Sequence, residues 1–258
     1  VYYRVYTVDG AILSKSAFDP GDPFIGRIAA RSVPPPHTAT SLKRRLANAE
    51  NLSDEAGLTA TLFLNPCAQT AMLPTDNVAI LNGTTSETPF TLVLSEEPPM
   101  ERNNTAAPVV KNKVDNQRYL YYRLYTQVNE DPSTAAFNTA DPALGRIEVL
   151  HVCPPYEAGS IKRCIAKAEG KSIYAVADLY SNIASSEAIE NGSQIVLLED
   201  GSMGSSPDSP IILVRPGEWE GFWRKVFKKV KHPSPVSGSY ISLFLLVRAV
   251  KPRLRVTE

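Results

Sequence analysis

The sequence predicts an α+β fold written twice, each half holding a few short strands and one amphipathic helix. Three observations lead there. The stretch "GRIAARSVPPPHTATSLKRRLANAE" from Gly26 returns at an offset of 119 as "GRIEVLHVCPPYEAGSIKRCIAKAE" from Gly145. Residues 2–51 align on 121–170 at that offset without a gap, with 23 identities in 50 positions. Later, "PFTLVLS" from Pro89 and "PIILVRP" from Pro210 realign at an offset of 121, so the length difference lies in the loops between.

The elements follow in order. "YYRVYT" from Tyr2 and "YYRLYT" from Tyr121 are aromatic and β-branched with period 2. Such runs are strands, with Tyr3 and Val5 on one face and Tyr2, Arg4 and Tyr6 on the other. A loop rich in Gly, Asp and Pro leads to a second extended run from Gly26 to Val33. That run is expected to stop at Pro34–Pro36, because proline cannot donate to a ladder. Thr38 or Thr40 can cap a helix whose Leu42, Leu46 and Ala49 share one face at i, i+4 and i+7. Ile161, Ile165 and Ala168 take those places in the second copy. A short strand "TATLFLN" from Thr59, a brief apolar run "VAIL" from Val78 and a closing strand "FTLVL" from Phe90 complete the unit.

Composition bounds what such a chain can be. Its 258 residues are 43% hydrophobic, 21% charged and 8% aromatic, as in an ordinary globular protein, and the formal net charge is zero. The balance is uneven, since residues 216–258 carry nine Lys or Arg against three Asp or Glu. Cys67, Cys153 and Cys164 form no C-x-x-C pair and have no His at ligand spacing, so neither a disulfide scaffold nor structural zinc is expected. The free thiols suggest a reducing compartment, and a cytoplasmic location is the expectation. The longest apolar run, "YISLFLLV" from Tyr240, is far shorter than the ~20 residues of a membrane-spanning helix.

Two strands, a helix across the sheet and two or three further strands within about 95 residues is the element order of a β-grasp. The pattern resembles ubiquitin-like domains, with "SLKRRLANAENLSDEAGLTATLFLN" in the place of their helix, acidic loop and third strand. "FTLVLS" stands where they carry the last strand. The repeated signature also resembles a tandem-repeat module of fungal proteins, which implies no activity. The resemblance implies a ubiquitin-like copy at 1–96, a linker at 97–118, a second copy at 119–215 and a basic tail at 216–258. Conjugation of the ubiquitin type needs a terminal Gly-Gly, and the chain contains no Gly-Gly.

No catalytic constellation stands out. His37, His151 and His232 have no histidine counterparts in the other copy, and there is no G-x-S-x-G motif. The G-S-M-G-S-S stretch from Gly201 lacks the Gly-Lys-Ser/Thr ending of a phosphate loop. No cofactor or metal is therefore expected. The retained cations are the candidate binding residues: Arg4, Arg27, Lys43 and Arg44 recur as Arg123, Arg146, Lys162 and Arg163. Their distribution is similar to that of Ras-association-type ubiquitin-like domains, which implies edge pairing of the sheet to an acidic partner. The alternative is a solvated face, or pairing of Arg4 and Arg27 with the equally retained Glu50 and Asp22.

In the tail, Trp219, Phe222, Trp223, Val226 and Phe227 form one stripe of an expected helix over 218–230, with Arg224, Lys225, Lys228 and Lys229 on the remainder. Such a helix suits an anionic membrane surface, a partner's groove or docking on the second copy. The functional expectation is a non-catalytic protein-interaction module; the alternative is an enzyme using a cleft between the copies. The expected partner is a protein, with no nucleic acid, and the sequence leaves the oligomeric state open.

Overall fold

The tyrosine-rich run that opens each copy becomes the middle of a sheet, because both of its faces carry large side chains and both of its edges find partners. A computed structural model describes residues 1–80, 85–95, 118–199 and 201–217. Val1–Gly217 form one compact unit. The expected linker, apart from Arg118, and the tail beyond Gly217 lie outside the described residues.

In the first copy β1 (Tyr2–Thr7) pairs antiparallel with β2 (Gly10–Ile12) along its second half and with β4 (Asp22–Arg27) along its first. Strand β3 (Ala17–Asp19) lies outside β4. Helix α1 (Ala39–Ala49) and the short α2 (Asp54–Thr59) follow, then β5 (Thr61–Phe63) and β6 (Phe90–Val93). The closing strand β6 runs parallel to β1, so the order across the sheet is β3-β4-β1-β6-β5.

The second copy repeats the plan with β7 (Tyr119–Tyr125), β8 (Glu130–Asp131), β9 (Leu144–Glu148), α3 (Ala158–Glu169), β10 (Asp178–Tyr180) and β11 (Ile211–Val214). Here β11 is parallel to β7, β10 lies outside it, and β8 and β9 share the opposite edge of β7. The fold is therefore α+β, with two mixed sheets and few helices.

Each copy has its own core. Tyr3, Val5, Leu42, Leu46, Leu62, Phe90 and Leu92 pack together in the first. Tyr122, Leu124, Ile161, Ile165, Leu179, Ile211 and Leu213 do so in the second. The helix periodicity is as expected through Leu42 and Leu46, and through Ile161 and Ile165, all of them buried. At the last turn the copies differ: Ala49 is half-buried against the first core, whereas Ala168 is exposed, and Glu50 and Glu169, at i+8, are buried in both. Thr38 is the N-cap of α1: its hydroxyl accepts from the Ser41 N–H while Ser41 Oγ accepts from the Thr38 N–H.

Two expected strands end differently. The second extended run stops at Arg27, six residues short of Val33, and turns into a 3₁₀ helix at Ala30–Ser32. Tyr2 pairs with Arg27 and the Ile28 N–H reaches the Val1 carbonyl, after which the backbone leaves the sheet into the 3₁₀ turn. The run at Val78 is not a strand. It meets the start of α1 through a single bridge, Thr38 to Asn77, with the Val78 N–H donating to the His37 carbonyl, and the preceding prolines offer no N–H to lengthen the pairing. Val78 and Ile80 are nonetheless buried.

Among the described residues no helix is long and apolar enough to cross a membrane.

Candidate functional site: the outer sheet faces

The most strongly retained residues have structural duties. Glu50 ends α1 beneath the sheet, where Oε1 accepts from Tyr3 Oη at 2.7 Å and Ser14 Oγ at 2.5 Å, and Oε2 accepts from the Lys15 N–H at 3.0 Å. Glu169 accepts from Tyr122 Oη and Ser133 Oγ, both at 2.5 Å, and from the Thr134 N–H at 2.7 Å. Burial, and then the neighbouring carboxylate, hold both phenols far above the ordinary tyrosine range, so they remain donors. Gly26 and Gly145 lie under those same rings. A Cβ there would come within 2.5 Å of the ring of Tyr3 or Tyr122, so glycine is what lets the ring reach its glutamate.

Five of the eight retained cations are also engaged inside the fold, Arg163 through Ser160 and the Val8 carbonyl and four others as follows. Arg4 is 4% exposed and forms an ion pair with Asp22. Arg123 pairs with Asp141 and with Glu130. Lys43 donates to the carbonyls of Leu58 and Ala60, and desolvation lowers its pKa. Lys162, 3% exposed, donates to the carbonyl of Ala177 at 2.7 Å. For Arg4 and Lys162 this corrects the expectation of partner-binding residues, since neither can meet a partner without opening the fold. Glu50, considered as an acid for Arg4 or Arg27, accepts from Tyr3 and Ser14, and Asp22 forms the ion pair with Arg4.

Arg27 and Arg146 behave differently. The Arg27 guanidinium lies 4.8 Å from the centre of the Phe18 ring, which in turn packs on Tyr2 at 5.0 Å. Arg146 lies between Tyr119 and Phe137, 4.2 and 4.6 Å from their centres, with Tyr121 edge-on to Phe137. Phe18 is 37% exposed and Phe137 40%. Each copy thus presents an arginine–aromatic cluster at the same place on its surface, built from Tyr2, Phe18 and Arg27 or from Tyr121, Phe137 and Arg146. The aromatic half has no signal in local patterning, because Phe18 and Phe137 sit in the stretch whose Gly, Asp and Pro content predicts a loop. Their identity at the 119-residue offset was the available signal.

The two copies meet through unlike surfaces. On the first sheet the row Phe63–Thr91–Arg4–Ile25 runs across four strands on the face away from α1, and all four residues are buried. The segment Glu148–Tyr156 and α3 of the second copy meet this face. Tyr6 Oη donates to the Leu150 carbonyl at 2.7 Å, Phe24 packs on the His151 ring at 4.4 Å, and Arg163 Nε donates to the Val8 carbonyl at 2.9 Å. Gly10, at φ +122, lets the hairpin approach closely, since a Cβ would fall 2.7 Å from the His151 carbonyl.

This contact is polar as well as apolar. Arg4 Nε, Thr91 Oγ1 and Tyr156 Oη are buried without a hydrogen-bond partner among the described residues. Desolvation, with the Arg4 charge adding to it, pushes the His151 pKa down to about 4. Burial holds the Cys153 and Cys164 thiols up at about 12, which makes them inert.

The matching row of the second sheet, Tyr180–Ile212–Arg123–Leu144, has no such cover among the described residues. Ile212, Arg123 and Leu144 floor a groove of about 550 Å3 walled by Phe137, Asp141, Ile183, Asp208 and Pro210. Of the remaining candidates, Arg44 is exposed, and Trp219, Phe222, Trp223, Val226 and Phe227 lie outside the described residues. Among the described residues no group of three His, Cys, Asp or Glu side chains could hold a metal ion. No protein-family model matches the chain, and comparison with curated proteins gives no match.

Proposed function

We propose that the chain is a non-catalytic protein-interaction module made of two duplicated β-grasp domains of the ubiquitin-like kind. The strand order supports the fold half of this reading: in each copy the first and last strands lie side by side and parallel at the centre, flanked by antiparallel partners. One helix covers a single face. The function half is carried by the exposed arginine–aromatic cluster, present at the same place on both copies. Arginine and large aromatics are the residues on which protein interfaces concentrate their energy, because they bury much area for little conformational entropy. Strand β3 adds an open edge beside the first cluster, where an extended acidic peptide can continue the sheet. The exposed thiol of Cys67 suits a cytoplasmic setting.

The test is affinity capture from a cell extract with the intact chain and with a variant carrying Phe18→Ser, Arg27→Glu, Phe137→Ser and Arg146→Glu. The variant should lose the partners the parent retains, and the parent's capture should weaken with salt, while the melting temperature changes little. Recovery of the same proteins by the folded variant would remove the clusters from consideration.

A further inference from the structure

The contact between the copies is heterologous: the first contributes its outer sheet face, the second its Glu148–Tyr156 segment and α3. Such a contact leaves the complementary surface of each copy unused. On the second copy that surface is the groove over Arg123, Leu144 and Ile212. On the first copy it is the segment 29–37 with the adjoining face of α1. We propose that the groove receives this segment of a second copy of the chain, so that chains associate head to tail. The proposal rests on the reading of the chain as an interaction module and names one partner for it.

The two segments are built alike. Ala30–Ser32 and Val149–His151 are both 3₁₀ turns, each followed by a buried valine, Val33 or Val152, and then by prolines. Arg31 and Pro34–Pro36 are exposed. The hydrogen bonds from Tyr6 and Arg163 that cross between the copies have unused counterparts. Tyr6 Oη donates to the Leu150 carbonyl; Tyr125, its counterpart, holds its hydroxyl at the surface beside Glu130 and can turn to the Arg31 carbonyl of the next chain. Arg163 Nε donates to the Val8 carbonyl; Arg44, its counterpart, is exposed without a partner among the described residues and faces the place of the Gln127 carbonyl.

Charge runs the same way. Arg31 and Arg44 stand on the inserted surface, while exposed Glu130 and Asp208 stand at the receiving one. Asn129 and Arg45 replace Gly10 and Cys164, a polar pair where the contact within the chain is small and apolar. The association is therefore weaker than the internal one, reversible and salt-sensitive. A heterologous contact leaves a free groove at one end of a pair and a free segment at the other, so association extends beyond a pair, into a ring if the rotation closes and into an open chain otherwise.

Sedimentation velocity of the full chain over a wide concentration range at low salt tests this. The mass should rise past that of a dimer, and added salt should reverse the rise. Arg44→Glu spoils the inserted surface, and Ile183→Arg, at a position 76% exposed in the groove wall, spoils the receiving one. Each variant alone should associate about tenfold more weakly or worse, yet an equimolar mixture should form one-to-one pairs and stop there. Self-association that neither variant alters, or variants that fail to complement, would overturn head-to-tail docking. So would a parent that stays monomeric throughout. If that monomer's tryptophan emission, from Trp219 and Trp223, shifts in Ile183→Arg, the tail is the occupant instead. Partner capture by such a monomer leaves the interaction-module reading standing while the self-docking proposal falls.

Discussion

Arg4 and Arg123 occupy the same place in two copies of one sequence, each paired with the aspartate 18 residues on. Arg4 lies under the neighbouring copy, and Arg123 borders an open groove. The same contrast holds for Tyr6, fully buried against the Leu150 carbonyl, and Tyr125, half-buried beside exposed Glu130. Within each copy the interactions are nearly identical; between the copies they are not. What duplication has preserved is therefore a unit that holds itself together, whereas exposure is decided by the order in which the units are strung.

The largest expected effect probes the preserved half. Glu50→Ala and Glu169→Ala each strand a buried phenol, a serine hydroxyl and a backbone N–H, and each should cost about 3 kcal/mol or more. Chemical denaturation should find the two losses similar; a difference of several kcal/mol would break the equivalence of the copies.

A smaller and unequal effect is expected from the tyrosines. Tyr6→Phe leaves the Leu150 carbonyl without its donor in a buried contact, at a cost of about 1–2 kcal/mol. Tyr125→Phe removes an exposed hydrogen bond to Glu130 and should stay within about 0.5 kcal/mol. Equal losses would mean that the contact between copies contributes little.

A pH-dependent effect has no counterpart in the first copy, where Ser32 stands in the place of His151. The folded His151 pKa is about 4 against an ordinary 6.5, so between those values the unfolded chain binds a proton that the folded chain refuses. Stability should therefore fall as pH is lowered from about 6.5 to about 4, with a slope approaching one proton. Glu148, whose carboxyl burial and then Asp22 push upward, works in the opposite direction, and Arg4 and Asp22 face the same ring. The difference between the parent and His151→Gln isolates the imidazole. An unchanged pH profile would place His151 in water.

Much of the unit was legible because its signals are local. Leu42 with Leu46, Ile161 with Ile165, the cap at Thr38 and the strand alternation at Tyr3 and Val5 all depend on residues within a few positions. Glu50 and Glu169 were legible as retained and illegible as buried. Hydrophobic periodicity does not register a carboxylate whose donors lie 36 and 47 residues away along the chain. The candidate binding residues fared least well. A cation's identity says nothing of whether it meets solvent, and Arg4 is covered by residues more than 140 positions further on. Only the aromatic partners of Arg27 and Arg146 could have been read earlier, from Phe18 and Phe137 standing at the shared offset.

The bond from Tyr6 to Leu150 spans 144 residues, which bears on how the chain is made. At a synthesis rate of 5–20 residues per second, the first copy leaves the ribosome on the order of ten seconds before its cover exists. During that interval Tyr6, Ile25 and Phe63 face the cytosol or whatever compartment receives them. The nascent chain is thus most exposed to misassociation and to chaperones midway through its own translation, and the newly finished second copy ends that exposure.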